Sequence, residues 1–197
     1  MAVRRKIFWS LMVIACVLLI NGSWIHIKAQ VAQLLLQDAW QQTQQDGQIH
    51  KPWKWADHWP VARLSVPGLQ VDQVVLAGDA GNVLAFAPGH NSLSATPGDP
   101  GTVIISGHRD THFRFLQYLA DGQSVAVETP QGIFHFTVIA KQVVNVNETR
   151  VDIGAGINQL LLVTCYPFDS PVAGGPLRYV ITAVPSMSEA AIDYEQG

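Results

Sequence analysis

Residues 159–168 read QLLLVTCYPF, and the reading of this stretch decides the fold. Leu160, Leu161, Leu162 and Val163 form a continuous apolar run. Such a run, with no polar alternation, is the pattern of a strand buried on both faces. It gives way to Thr164, Cys165, Tyr166 and Pro167, so a thiol stands at the end of a buried strand. A second run of the same kind is GTVIIS (101–106), which follows the turn-rich TPGDPG.

Working outward, the chain from Val61 onward reads as short strands. VARLSV alternates and stops at Pro67-Gly68, QVDQVVLA follows, and GDAGN makes a turn. Beyond GTVIIS, Phe113, Leu116 and Leu119 have helical spacing. QSVAVE then leads through TPQG to the alternating IFHFTVIAKQVV, and QLLLVTC and LRYVITAV complete the set. Short strands at regular spacing predict an antiparallel barrel or sandwich. One small helix between strands, with two continuous buried runs, favours a closed, mainly β barrel.

The chemistry follows from what stands at the strand ends. GTVIIS runs out through Gly107 into His108, QLLLVTC runs out into Cys165, and Arg178 opens the strand after GGP. Strand ends of a barrel gather at a rim, where a thiol, an imidazole and a guanidinium can converge. A thiolate attacks a carbonyl, a histidine protonates the leaving amine, and a fixed donor steadies the oxyanion. His90, which also follows a strand and a glycine, competes with His108; the strand before His108 is the more core-like. His112 begins the expected helix and reads as a capping or packing residue, and His135 reads as a wall residue. Asp110 stands where it orients His108 or pairs with an arginine.

The N-terminus says where this thiol resides. Arg4, Arg5 and Lys6 precede the apolar run Ile7–Ile20, and Trp24, Ile25 and Ile27 prolong it. A spanning helix needs about 20 apolar residues, with basic residues on its cytoplasmic side. A signal peptide cleaved after Ala29 would put Ile27 at a position that requires a small residue. The uncleaved anchor is therefore expected, and either reading exports the chain beyond residue 28. Cys16 lies in the apolar run and Cys165 in the exported part, so the two are not expected to bridge. Exported domains normally pair their cysteines. A lone one is either a reactive thiol or an inert small hydrophobe, and position alone leaves both open.

Four of the twelve Lys and Arg residues fall in the first 28 positions, which hold no Asp or Glu. The rest of the chain sets eight basic against fifteen acidic side chains. That balance excludes nucleic acid as a partner, because phosphates must be neutralised by a basic face. Between anchor and barrel, Val31, Leu34, Leu35 and Trp40 have helical spacing that predicts a helix over 29–45. The segment KPWKWADHWP reads as a strap pinned to the barrel by burial of its tryptophans. The organisation expected is an anchor over 1–28, a helical and Trp-rich linker over 29–59, a catalytic barrel over 60–185 and a tail over 186–197.

Taken in order, SGHRDTHF, LLLVTCYPF and GPLRYVITA resemble the sortases, cysteine transpeptidases of the cell envelope. LVTC is similar to the end of the sortase TLxTC motif, with Leu161 standing where the motif has its first threonine. VARLSVPGL resembles the first sortase strand, and the thirteen-residue step from Cys165 to Arg178 is like that of the family. The likeness spans residues 60 to 184. WKWADHWPVARL, GHRDTHFRFL and VTCYPFDSPVAGGPLRYV together look most like the sortases of Gram-negative bacteria. The resemblance implies an eight-stranded barrel with one or two short helices behind an N-terminal transmembrane helix, on the periplasmic side of the inner membrane. It implies Cys165 as nucleophile, His108 as general acid, Arg178 as oxyanion or substrate-positioning residue and Thr164 as a residue shaping the substrate groove. The substrate would be a protein with an LPxTG-like C-terminal sorting signal, the acceptor an amine, and the lid the connection over residues 142–158. No cofactor is implied, and Glu148 and Asp152 are too few and scattered to argue for calcium. Two other readings stand beside it. One is a peptidoglycan L,D-transpeptidase, which would want an SHGC-type motif in place of LVTC; the other is a membrane-tethered β-module with an inert Cys165.

Overall fold

The computed structural model of the protein describes residues 2–148, 157–172 and 174–186. A long helix, α1 (Ala2–Asp46), leads into eight strands: β1 (Pro60–Val66), β2 (Val71–Ala77), β3 (Gly89–His90), β4 (Thr102–Ser106), β5 (Ser124–Thr129), β6 (Gly132–Asn145), β7 (Gln159–Cys165) and β8 (Leu177–Pro185). They close into one barrel in the order β1-β2-β3-β4-β7-β8-β6-β5. The expected mainly β, closed, eight-stranded architecture is the one observed. Helical turns are short: α2 (Gly81–Leu84) and two 3-10 turns, Pro67–Leu69 and Arg114–Tyr118.

Seven of these strands are visible as sequence patterns. The eighth, β3, is two residues long and too brief to show a period. It fits between β2 and β4 because Gly89 brings its backbone against Gly78; a Cβ at Gly89 would lie 2.0 Å from the Gly78 carbonyl oxygen. The barrel is not wholly antiparallel: β2 pairs with β3 in parallel, and β4 with β7. The barrel interior is filled by Ala62, Leu64, Val66, Val103, Ile105, Val125, Val127, Val138, Leu160, Leu162, Ile181 and Ala183, with Phe113 and Leu116 closing it from the β4–β5 connection.

α1 packs on the barrel through the last third of its length. Leu36, Ala39, Trp40 and Thr43, at i, i+3, i+4 and i+7, are buried, the stripe of an amphipathic helix. They pack with Val74, Leu76, Val83 and Ala87. Of the expected stripe only Trp40 is buried; Val31, Leu34 and Leu35 are exposed, because they lie off the helix face that carries Gln33, Leu36 and Trp40 to the domain. The described side chains of residues 4–30 are all exposed. Among the described residues no helix is long and apolar enough to cross a membrane. The strap is held by Ala56 and His58 rather than by all its tryptophans, for Trp55 is 81% exposed. His58 packs edge-on to Trp53 and tilted over Phe86.

Candidate active site

The apolar run of β7 puts Leu160, Leu162 and Thr164 on the barrel interior, at 0, 0 and 2% exposure. Strand alternation then turns Cys165 to the outer face, where it is half-buried. On β8 the interior residues are Tyr179, Ile181 and Ala183, so Arg178 shares the outer face with Cys165. The two are directly opposed in the β7–β8 ladder. Tyr166 N–H donates to Leu177 O at 3.1 Å and continues the ladder past the thiol.

β4 supplies the third side chain. Ser106 pairs with Val163, and Gly107 N–H donates to Val163 O at 3.0 Å. Beyond Gly107 the ladder ends: His108 starts a turn, its carbonyl accepting from Thr111 and Phe113 N–H at 3.4 and 2.9 Å. His108 is exposed. Thus Cys165 and Arg178 face each other across β7 and β8, and the exit of the neighbouring β4 leads through Gly107 to His108 at the same end of the barrel.

Thr164, expected to shape the substrate groove, points the other way. Its Oγ1 donates to Gly107 O at 2.7 Å, inside the barrel. It is an inner clasp between the ends of β4 and β7. The chain beyond His108 is pinned by Phe113, which is wholly buried and whose N–H donates to His108 O at 2.9 Å. A Cβ at Gly107 would come within 2.5 Å of the Phe113 ring, so this strand exit requires glycine.

The rival histidines have other partners. His90 is 8% exposed, with Nε2 lying 2.8 Å from Ala95 O and 3.1 Å from Ser94 Oγ. It braces the β3–β4 turn. His112 is partly buried; burial first, and then repulsion from His108, hold its pKa below the ordinary value. His135 is exposed on β6. Asp110 pairs with an arginine rather than with His108: Arg109 Nε and Nη2 donate to its two carboxylate oxygens at 2.8 and 3.0 Å. That hydrogen bonding lowers the Asp110 pKa and raises that of Arg109.

Two features were not legible in the sequence. One is Arg109, a guanidinium only 5% exposed beside the histidine. The other is an aromatic cluster flanking the thiol, with Tyr166 and Tyr179 stacked at 6.2 Å and Phe168 edge-on to Tyr179 at 5.2 Å. The aromatics of YPF and RYV were its only signal. A cavity of about 370 Å³ beside the site is lined by Arg109, Asp110, Arg114, Gln117, Phe168 and Asp169. A larger cavity, about 630 Å³, lies at the opposite barrel end, against Gly101, Asn158 and Pro185, away from the thiol. The expected lid falls partly on residues 149–156, outside those described.

Comparison with known proteins gives the family. A family model described as the sortase domain matches residues 64–186. Sortase D of Bacillus subtilis (strain 168) is 30% identical over 119 residues, 60% of this chain and 60% of that protein. This chain thus aligns with well under two thirds of the length of that curated relative. Among solved structures, a Sortase D5 transpeptidase of Clostridium perfringens superposes with a TM-score of 0.63 at 22% identity, covering 80% of this chain and 99% of that one. Sortase A from Corynebacterium diphtheriae superposes at 0.60 and 22% identity, covering 68% and 64%. The chain belongs to the sortase family of cysteine transpeptidases.

Proposed function

We propose that the protein is a membrane-anchored transpeptidase of the type found in Gram-negative bacteria, cutting an LPxTG-like C-terminal sorting signal on the periplasmic side of the inner membrane. The observation that carries this reading is the direct pairing of Cys165 with Arg178 across β7 and β8, beside the β4 exit that leads through Gly107 to His108. The Cys165 thiolate attacks the carbonyl carbon of the threonine in the signal. Arg178 donates to the oxyanion that develops. His108 gives a proton to the leaving glycine amine, the C–N bond breaks, and a thioester remains on Cys165. An acceptor amine attacks that thioester, forms the new amide and releases the thiol. The basic residues before the apolar run of an exposed helix support the anchor, and WKWADHWPVARL supports the Gram-negative kinship.

The test is mass spectrometry of the protein incubated with a library of LPxTG-like peptides. An acyl adduct on Cys165, absent from a folded Cys165→Ala variant that cleaves nothing, is the expected result. Cleavage by Cys165→Ala at the parent rate would end the reading.

A further inference from the structure

Arg109 is the most buried cationic side chain described in the barrel domain, and every polar contact it makes lies at the ends of β4 and β7. A guanidinium so enclosed is stable only when paired and hydrogen-bonded. Its Nε and Nη2 hold Asp110; Nη1 donates to Pro167 O at 2.7 Å and Nη2 to Ser170 O at 2.9 Å. Pro167 is two residues past the nucleophile, and Arg109 directly follows His108. The side chain therefore bridges the turn that carries the acid and the turn that leaves the thiol. Thr164 makes the matching tie on the inner side of the barrel, at Gly107 O.

We propose that Arg109 is a positioning residue for thioester formation: its fork fixes the turn bearing His108 against the turn after Cys165 and so sets the separation of acid and nucleophile. This rests on the roles given above to Cys165 and His108. Its hydrogen bond to Asp110 first, against the opposing cost of burial, keeps the guanidinium charged where it sits. Its planar fork reaches two carbonyls and a carboxylate at once, and a lysine ammonium, a single point charge, does not.

The experiment compares the full-length parent, Arg109→Lys and Asp110→Asn in peptide-cleavage kinetics, in alkylation of Cys165 by iodoacetamide and in melting temperature. Alkylation needs the thiol but no acid from His108. A displacement of about 1 Å between reacting groups costs about 10²-fold in rate. Arg109→Lys is thus expected to lose about that much in kcat, with KM and the alkylation rate kept. Asp110→Asn, which frees one side of the fork, should fall between it and the parent. Parent-like kcat in a folded Arg109→Lys overturns the proposal. A loss of kcat, alkylation and melting temperature in parallel also overturns it, as a purely structural role. Should Arg109→Lys not fold, Asp110→Asn decides, and parent-like kcat there overturns the proposal. A parent that forms no thioester at all fails the functional reading instead, which the alkylation arm separates from loss of the thiol.

Discussion

Arg178 donates from Nη1 to Gly175 O at 2.7 Å and to Leu177 O at 2.9 Å, both carbonyls of its own segment. It is half-buried, opposed to Cys165, and already engaged in the directed, carbonyl-facing bonding that an oxyanion would demand. A sorting peptide would exchange one set of carbonyl acceptors for another without reorienting the charge. Because the requirement is for aimed donors, Arg178→Lys should not substitute. Losing one such donor costs about 10² to 10³ in rate. The expected outcome is that loss in kcat/KM for both Arg178→Lys and Arg178→Ala, with melting temperatures near the parent's. Folded variants of both kinds that cleave at the parent rate would refute the role.

The strap between α1 and β1 is held by packing that tolerates no charge. His58 is 4% exposed, its two ring nitrogens have no hydrogen-bond partner, and Trp53 and Phe86 flank it. Gln33 Nε2 donates to Phe86 O at 2.6 Å and brings α1 into the same assembly. Burial lowers the His58 pKa, against a smaller opposing pull from Asp57. The unfolded chain therefore takes up this proton at a higher pH than the folded one does. The contribution to stability is fully present above the ordinary histidine value of about 6.5 and is lost as pH falls below it. Partly buried His112 adds in the same direction. Thermal melts from pH 8 to 5 should show a steady fall in melting temperature on the acid side of that value. His58→Phe, which keeps an aromatic ring in the site, should flatten part of that fall; an unchanged slope would mean that the strap does not sense pH.

For the whole molecule, the charge asymmetry and the exposed apolar helix ahead of the barrel lead to a fractionation experiment. Full-length protein should sediment with membranes and resist extraction by salt. A chain starting at residue 29 keeps Leu36, Ala39, Trp40 and Thr43, which make the contacts to the barrel, and should be soluble and cleave peptide at the parent rate. Recovery of the full-length chain in the soluble fraction would remove the anchor from the proposal. Local chemistry alone determined much of this molecule. Continuous runs of β-branched and leucine residues can satisfy their backbone and bury their side chains only in a covered strand, so β4 and β7 were legible, as were His108, just past the first, and Cys165, at the end of the second. That the chain before the barrel is helical, set by 3.6-residue spacing, was legible; which row of it meets the barrel was not. The tertiary structure decided the rest. No local pattern encodes the parallel pairing of β4 with β7, yet that pairing is what brings the β4 exit beside the end of β7 and sets Thr164 inward onto Gly107. Nor does sequence reveal that Arg109 is buried. A lone arginine beside a histidine reads as a solvated charge until the fold places two carbonyls 58 and 61 residues away against its fork.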